Sequence, residues 1–181
     1  MLLRREFVQT AITGLVGSAM IPFTKFGSSE NLNKKGLVKN VNECETYFVR
    51  ENTSITIHIS KSDNIDSMSI CTEELLPGFS IPVHKHLYAD EIFHIIKGSG
   101  IFTLDNEEIQ INVGGSAFVP KDTWHGLKNT GTELLLLTFG FSPAGFEDYF
   151  RQTGTLKGLP FKPKPQEQHD LLAKKYGMVY K

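Results

Sequence analysis

Apolar residues in this chain recur at every second position, in short runs bounded by asparagine, aspartate or glycine. Thr53-Ser-Ile55-Thr-Ile57-His-Ile59-Ser60 alternates strictly, and Glu108-Ile109-Gln-Ile111-Asn-Val113 does so again. A period of two sends successive side chains to opposite faces, so these runs predict half-buried antiparallel strands. Leu134 to Phe141 is apolar on both faces and predicts a central strand. Asp105-Asn106 separates two such runs and suits a hairpin turn, because both residue types tolerate left-handed backbone. Several short strands at close spacing favour a sandwich or barrel over a helical fold.

At 181 residues the chain suits one well-buried domain. A formal net charge of −1, with lysines and acids interspersed, gives no general attraction to nucleic acid or to anionic lipid. Cys44 and Cys71 stand too far apart for a paired-cysteine metal or redox motif. Cys71 is expected within the strand around Ser67 to Leu75, and Cys44 as a loop thiol; after export the two could be bridged.

The opening Met1-Leu-Leu-Arg4-Arg5-Glu-Phe7 precedes a short, weakly apolar stretch, the layout of an export signal and too short for a membrane span. Paired arginines followed by Phe7 resemble a twin-arginine signal, which exports folded protein and implies a periplasmic location without a stable membrane anchor. The alternative is an amphipathic helix packed on the barrel. Removing residues 1–27 would shift the net charge to about −3. Residues 28–45 read as a polar lead-in, residues 46–143 as the barrel, and residues 144–181 as a helical extension. Leading into the extension, Ser142-Pro143 suits the start of a short helix ending near Gly154, and Gly177 suits the stop of a second.

Two blocks carry the candidate chemistry. The first is Gly78, then His84, His86, Glu91 and Gly98; the second is Gly114, Pro120, His125 and Asn129. His84 and His86 lie two apart, so on a strand they leave from one face and can chelate one ion. Glu91 opens a strand whose inward residues are Glu91, Phe93 and Ile95, and a carboxylate among apolar neighbours needs a cation or hydrogen-bond donors. The turn after Pro120 aims His125 inward and Trp124 outward. His94 shares the outward side with Ile92 and Ile96, which suits an intersheet contact or a subunit interface. Three imidazoles and one carboxylate are ligands for a divalent transition metal, with iron, manganese, nickel, copper, zinc and cobalt all compatible.

These two blocks resemble the paired motifs of the cupin superfamily. The resemblance implies an all-β double-stranded β-helix, a jelly-roll barrel, followed here by short C-terminal helices. It implies His84, His86, Glu91 and His125 as ligands of one metal ion, and Gly78, Gly98, Gly114, Pro120 and Asn129 as structural positions. Asp122 departs from the pattern, which often has glycine there. The tail from Ser142 to Phe150 looks like that of small quercetin dioxygenase-like cupins. The ligand set and the apolar barrel interior, read with the resemblance, imply a metal-dependent dioxygenase acting on a small enol or phenol-like molecule with Glu91 doubling as the proton acceptor, and the likeness to single-barrel cupins allows a homodimer. The alternatives are a cupin isomerase or epimerase and a non-enzymatic metal or small-ligand binding protein.

Overall fold

The computed structural model describes residues 36–181. The expected export signal and residues 28–35 of the polar lead-in lie outside the described residues. Ten strands follow in order: β1 (Glu45–Arg50), β2 (Thr53–Ile59), β3 (Ile70–Leu75), β4 (Ser80–His86), β5 (Asp90–Lys97), β6 (Ser99–Leu104), β7 (Glu107–Asn112), β8 (Ser116–Val119), β9 (His125–Asn129) and β10 (Leu135–Ser142). Helix α1 (Glu147–Thr153), strand β11 (Thr155–Leu156), helix α2 (Gln166–Tyr176) and strand β12 (Met178–Tyr180) complete the described chain.

The strands form two antiparallel sheets, ordered β11-β1-β2-β3-β10-β5-β8 and β12-β4-β9-β6-β7. This is the all-β jelly roll that the alternation and the resemblance imply. The two-residue period is visible in burial: Ile55 and Ile57 of β2, Cys71, Glu73 and Leu75 of β3, and Glu91, Phe93 and Ile95 of β5 all face inward. The Leu134 run becomes β10, the central strand its sequence predicts, paired on its two edges by β3 and β5. Asp105 turns the β6–β7 hairpin with φ of 53°, and Leu104 pairs with Glu107 across it. Both cysteines are free thiols in the structure, Cys71 within the core and Cys44 beside His58. Ile92 and Ile96 lie on the exposed outer surface, 53% and 46% accessible beside Phe118, so they make no contact between the sheets.

Three motif positions earn their place by geometry. Asn129 is fully buried; its amide donates to the carbonyls of Leu75 and Glu133, both at 2.8 Å, and its oxygen accepts from the Gly131 amide. It satisfies the backbone where the two sheets meet. Gly98 has φ of 81°, and a Cβ there would lie 2.8 Å from the Leu134 carbonyl oxygen. Gly98→Ala is expected to destabilise the fold by about 1–3 kcal/mol from the backbone conformation alone, read by urea denaturation; a variant as stable as the parent would contradict this contact. Asp122 adopts φ of 65°, the left-handed conformation for which glycine is the usual choice, and its carboxylate lies 2.6 Å from the Lys85 ammonium.

Residues 144–181 contain both helices and also return two strands to the barrel: β11 pairs with β1, and β12 pairs with β4. The first helix starts at Glu147 instead of Ser142-Pro143. Ser142 still belongs to β10, and its hydroxyl donates to the Ser67 carbonyl, so it is not free to cap a helix. The buried Glu147 carboxylate instead accepts from the backbone amides of Lys61 and Gly145, at 2.6 and 2.8 Å. Gly177 stops α2 in the left-handed conformation, with φ of 70°, as its sequence position implies. No helix among the described residues is long and apolar enough to cross a membrane.

Candidate metal centre

The four expected ligands converge although they come from different sheets. β4 and β9 are paired with His84 directly opposite His125, and a register shift in β4 between Ile81 and His84 sets this alignment. His86 follows on the same inward side of β4. Glu91 reaches across from β5, in the other sheet, where it stands opposite Phe141 and Val119. The turn before His125 is tied at both ends: the Asp122 amide donates to the His86 carbonyl at 2.7 Å, and the Lys121 amide to the Asp90 carboxylate at 2.9 Å. Trp124 leaves on the other side, where the Lys85 ammonium stands 4.9 Å from its ring centre. All four ligand side chains are buried, His125 to 1% exposure, and their donor atoms lie within 4.8 Å of one another.

The hydrogen bonds decide how the imidazoles are aimed. His84 Nδ1 lies 2.8 Å from the Pro82 carbonyl oxygen and His125 Nδ1 lies 3.0 Å from that of Thr123. A carbonyl only accepts, so both Nδ1 atoms donate and both Nε2 atoms of the neutral rings turn a lone pair to the centre. There His84 Nε2 stands 3.1 Å from His86 Nε2, while His125 Nε2 stands 2.8 Å from the Glu91 carboxylate, which also lies 3.2 Å from His86 Nε2. These contacts gather imidazole nitrogens and a carboxylate oxygen around one point, an arrangement that shared protons satisfy in the metal-free protein and that one cation can replace. His86 Nδ1 has no hydrogen-bond partner although it is buried. The donor set therefore fits one divalent ion held by three nitrogens and one oxygen.

Electrostatics without a metal point the same way. Burial, then the neighbouring His86 and His125, push the His84 imidazole down to about 3, so it stays neutral. Burial alone would raise the Glu91 carboxyl, but the His86 ring and the hydrogen bonds from His125 and His86 outweigh it and hold it at about 2. Burial likewise works against protonation of His125, yet Glu91 raises its affinity for a proton. A neutral His84 and an ionised Glu91 are in the protonation states that metal binding requires, and a proton held by His125 against Glu91 would be released as an ion enters. His94 is no part of the cluster; it faces outward and its Nδ1 meets the Ser116 hydroxyl at 2.9 Å.

His84, His86 and Glu91 open onto a cavity of about 580 Å³, with Phe93, Phe139, Phe141 and Phe146 in its walls. Phe93 thus lines the cavity, as its shared face with Glu91 implies. The sequence reading missed the polar groups there: Arg50 of β1, Glu73 of β3, Tyr149 of α1 and Tyr180 of β12. Glu73 could have been found by parity, since it shares its face with Cys71 and Leu75. Tyr180 lies opposite His84 in the β4–β12 pairing, and its hydroxyl is 3.4 Å from that of Tyr149. Burial, then Tyr180, raises the Tyr149 phenol, which keeps its proton at neutral pH.

Comparison with known proteins agrees with this architecture. Residues 71–140 match the family model described as cupin domain. An uncharacterized protein of Methanocaldococcus jannaschii is 35% identical over 78 residues, 42% of this chain and 62% of its own length. The oxalate-binding protein of Thermotoga maritima is 35% identical over 65 residues, 35% of this chain and 54% of its own. Dimethylsulfoniopropionate lyase DddW of Ruegeria pomeroyi is 35% identical over 74 residues, 41% of this chain and 47% of its own. The chain spans less than two thirds of each of these relatives. KdgF from Halomonas sp. superposes with a TM-score of 0.55 at 18% identity, over 63% of this chain and 99% of that one. An RmlC-like cupin from Shewanella frigidimarina gives 0.53 at 18% identity, over 64% and 96%. These structural likenesses carry the fold alone, and the cupin-domain match covers residues 71–140, the stretch that holds all four candidate ligands.

Proposed function

We propose that the chain is a metal-dependent oxygenase of the quercetin dioxygenase-like kind, acting on a small enol or phenol-like molecule. The observation that carries this reading is a convergent three-nitrogen, one-carboxylate donor set opening onto a cavity walled by phenylalanines. A transition metal bound there would supply Lewis acidity and, if redox-active, one-electron chemistry. Iron, manganese, nickel, copper and cobalt suit that role, and zinc would supply Lewis acidity alone. Glu91 stays ionised at neutral pH, the state in which a carboxylate accepts a hydroxyl proton, and its burial keeps bulk water from competing. Phe93, Phe139 and Phe141 would hold a planar substrate by its faces and edges.

A second reading is a metal-dependent isomerase, epimerase or lyase that begins with proton removal and uses no dioxygen, a lyase then expelling a leaving group from the adjacent carbon. It draws on Arg50, Glu73, Tyr149 and Tyr180, which make the cavity more polar than the strand pattern alone implies. One of the matched relatives carries the name of a lyase. A third, the non-enzymatic binding module, is compatible with the likeness to an oxalate-binding protein.

An oxygen electrode separates them. Metal-loaded protein is expected to consume dioxygen with at least one member of a panel of flavonols, diketones and thiols. Turnover that proceeds equally under argon would overturn the oxygenase reading in favour of proton transfer. Ligands that bind and are recovered unchanged would leave the binding module.

A further inference from the structure

We propose that Arg50 and Glu73 form a second recognition site in the cavity, which takes the carboxylate of an elongated organic acid whose opposite, oxygen-bearing end lies at His84, His86 and Glu91. The far end of this arrangement rests on the proposed metal-dependent function, whereas the Arg50–Glu73 end does not.

Arg50 is aimed into the cavity by a bulge. The β1–β2 pairing slips between Phe48 and Arg50, so the last residue of β1 is turned out of the regular alternation. Its Nη1 then donates to the Ser80 carbonyl at 2.5 Å, which fixes the guanidinium, and its Nη2 lies 3.5 Å from the Glu73 carboxyl. A guanidinium carries five N–H donors, and these two contacts leave others to face the cavity that Arg50 lines.

Glu73 is 3% exposed, and the contact to Arg50 sits at the outer limit of a hydrogen bond. A buried carboxyl with one long contact is under-satisfied for its environment. Burial, opposed by Arg50 and aided by Glu91, pushes it up to about 7, so it holds its proton in mildly acid solution. A fixed guanidinium and a carboxyl O–H, side by side, both donate. A carboxylate offers two adjacent acceptor oxygens and satisfies both, where a single hydroxyl satisfies one.

The register gives the length of the molecule. Glu73 stands opposite Leu137 and Glu91 opposite Phe141, on either side of β10. The two acids are therefore two strand spacings apart across the sheet and four residues apart along it, roughly 10 Å by 13 Å between Cα atoms. Phe139 lies between them on β10, paired with Phe93 of β5, and both line the cavity. An acid with an aromatic or other flat apolar middle fits over that floor, with one polar end on each carboxyl-bearing strand.

The test uses the full chain loaded with cobalt(II), with 4-hydroxycinnamate and its methyl ester as matched probes, followed by calorimetry at pH 6. The acid is expected to bind at least about tenfold tighter than the ester, the loss expected for one or two charge-assisted hydrogen bonds. Arg50→Gln should bring that ratio to about one by weakening the acid alone, and Glu73→Leu should lower it, while Glu73→Gln, which keeps a donor, should retain it. Lys164→Met removes the other cation of the lining and should leave the ratio unchanged. Equal binding of acid and ester by the parent, binding of neither, or collapse of the ratio only in Lys164→Met would overturn the assignment. If Arg50→Gln does not fold, the Leu and Gln variants at Glu73 decide. The cobalt absorption spectrum reads the other end independently: an acid preference with no spectral change would sink the metal-linked reading and leave the carboxylate site standing. The same ratio measured on metal-free protein gives that separation a second time.

Discussion

Replacing His125 with alanine is expected to take the chain from one tightly held divalent ion per molecule to none that survives gel filtration, with affinity reduced by at least about 100-fold. His125 is placed by more than its own strand: Thr123 fixes its tautomer, the turn before it is tied to β4 and β5, and its Nε2 faces Glu91. Removing it leaves Glu91 buried without its shortest contact. The measurement is metal analysis of the natively purified protein beside a thermal melt. At a metal concentration 100 times the Kd, the parent should gain about 2.7 kcal/mol on metal addition, and the variant should gain almost nothing. The variant should still fold, because the apolar core around Ile55, Leu75, Leu135 and Leu137 does not depend on the ligands. A variant that keeps stoichiometric metal would remove His125 from the ligand set.

Glu73→Gln is expected to stabilise the protein by about 3 kcal/mol at pH 8 and to change little at pH 4. The sign follows from the direction of the shift. Burial raises this carboxyl to about 7 in the folded chain, against an unfolded value near 4.3. A raised acid favours folding while it is protonated: its full contribution is present below the unfolded value and is lost as pH rises through the folded one. The amide carries no charge to bury, so the variant should skip that loss. Urea denaturation of both proteins across pH 4 to 8 yields the difference directly, and the imidazole titrations common to both cancel. A constant difference over that range would mean that Glu73 is already ionised in the folded chain and compensated by Arg50.

Much of this was legible because alternation and spacing are local. Glu91, Phe93 and Ile95 announce their shared face by parity alone, and the two-residue step from His84 to His86 fixes their common side. What brings His125 opposite His84 is a bulge in β4, which no local pattern shows; the paired motifs supplied that link through resemblance. Glu73 was hidden by its neighbour: Glu73-Glu74 looks like a solvated pair, and only the alternation with Cys71 and Leu75 shows that one carboxyl of the two points in. Strand β12 has three residues, too few to display a period, so Tyr180 could not be placed. The start of α1 was misjudged at Ser142 because the partner of its hydroxyl, the Ser67 carbonyl, lies far away in sequence.

The pairing of β12 with β4 also sets an order of assembly. His84 and His86 are made about ninety positions before the Met178 and Tyr180 that lie against them. Among the described strands β12 is the latest in sequence, so until it docks the outer edge of β4 keeps unpaired backbone N–H and C=O groups beside His84 and His86.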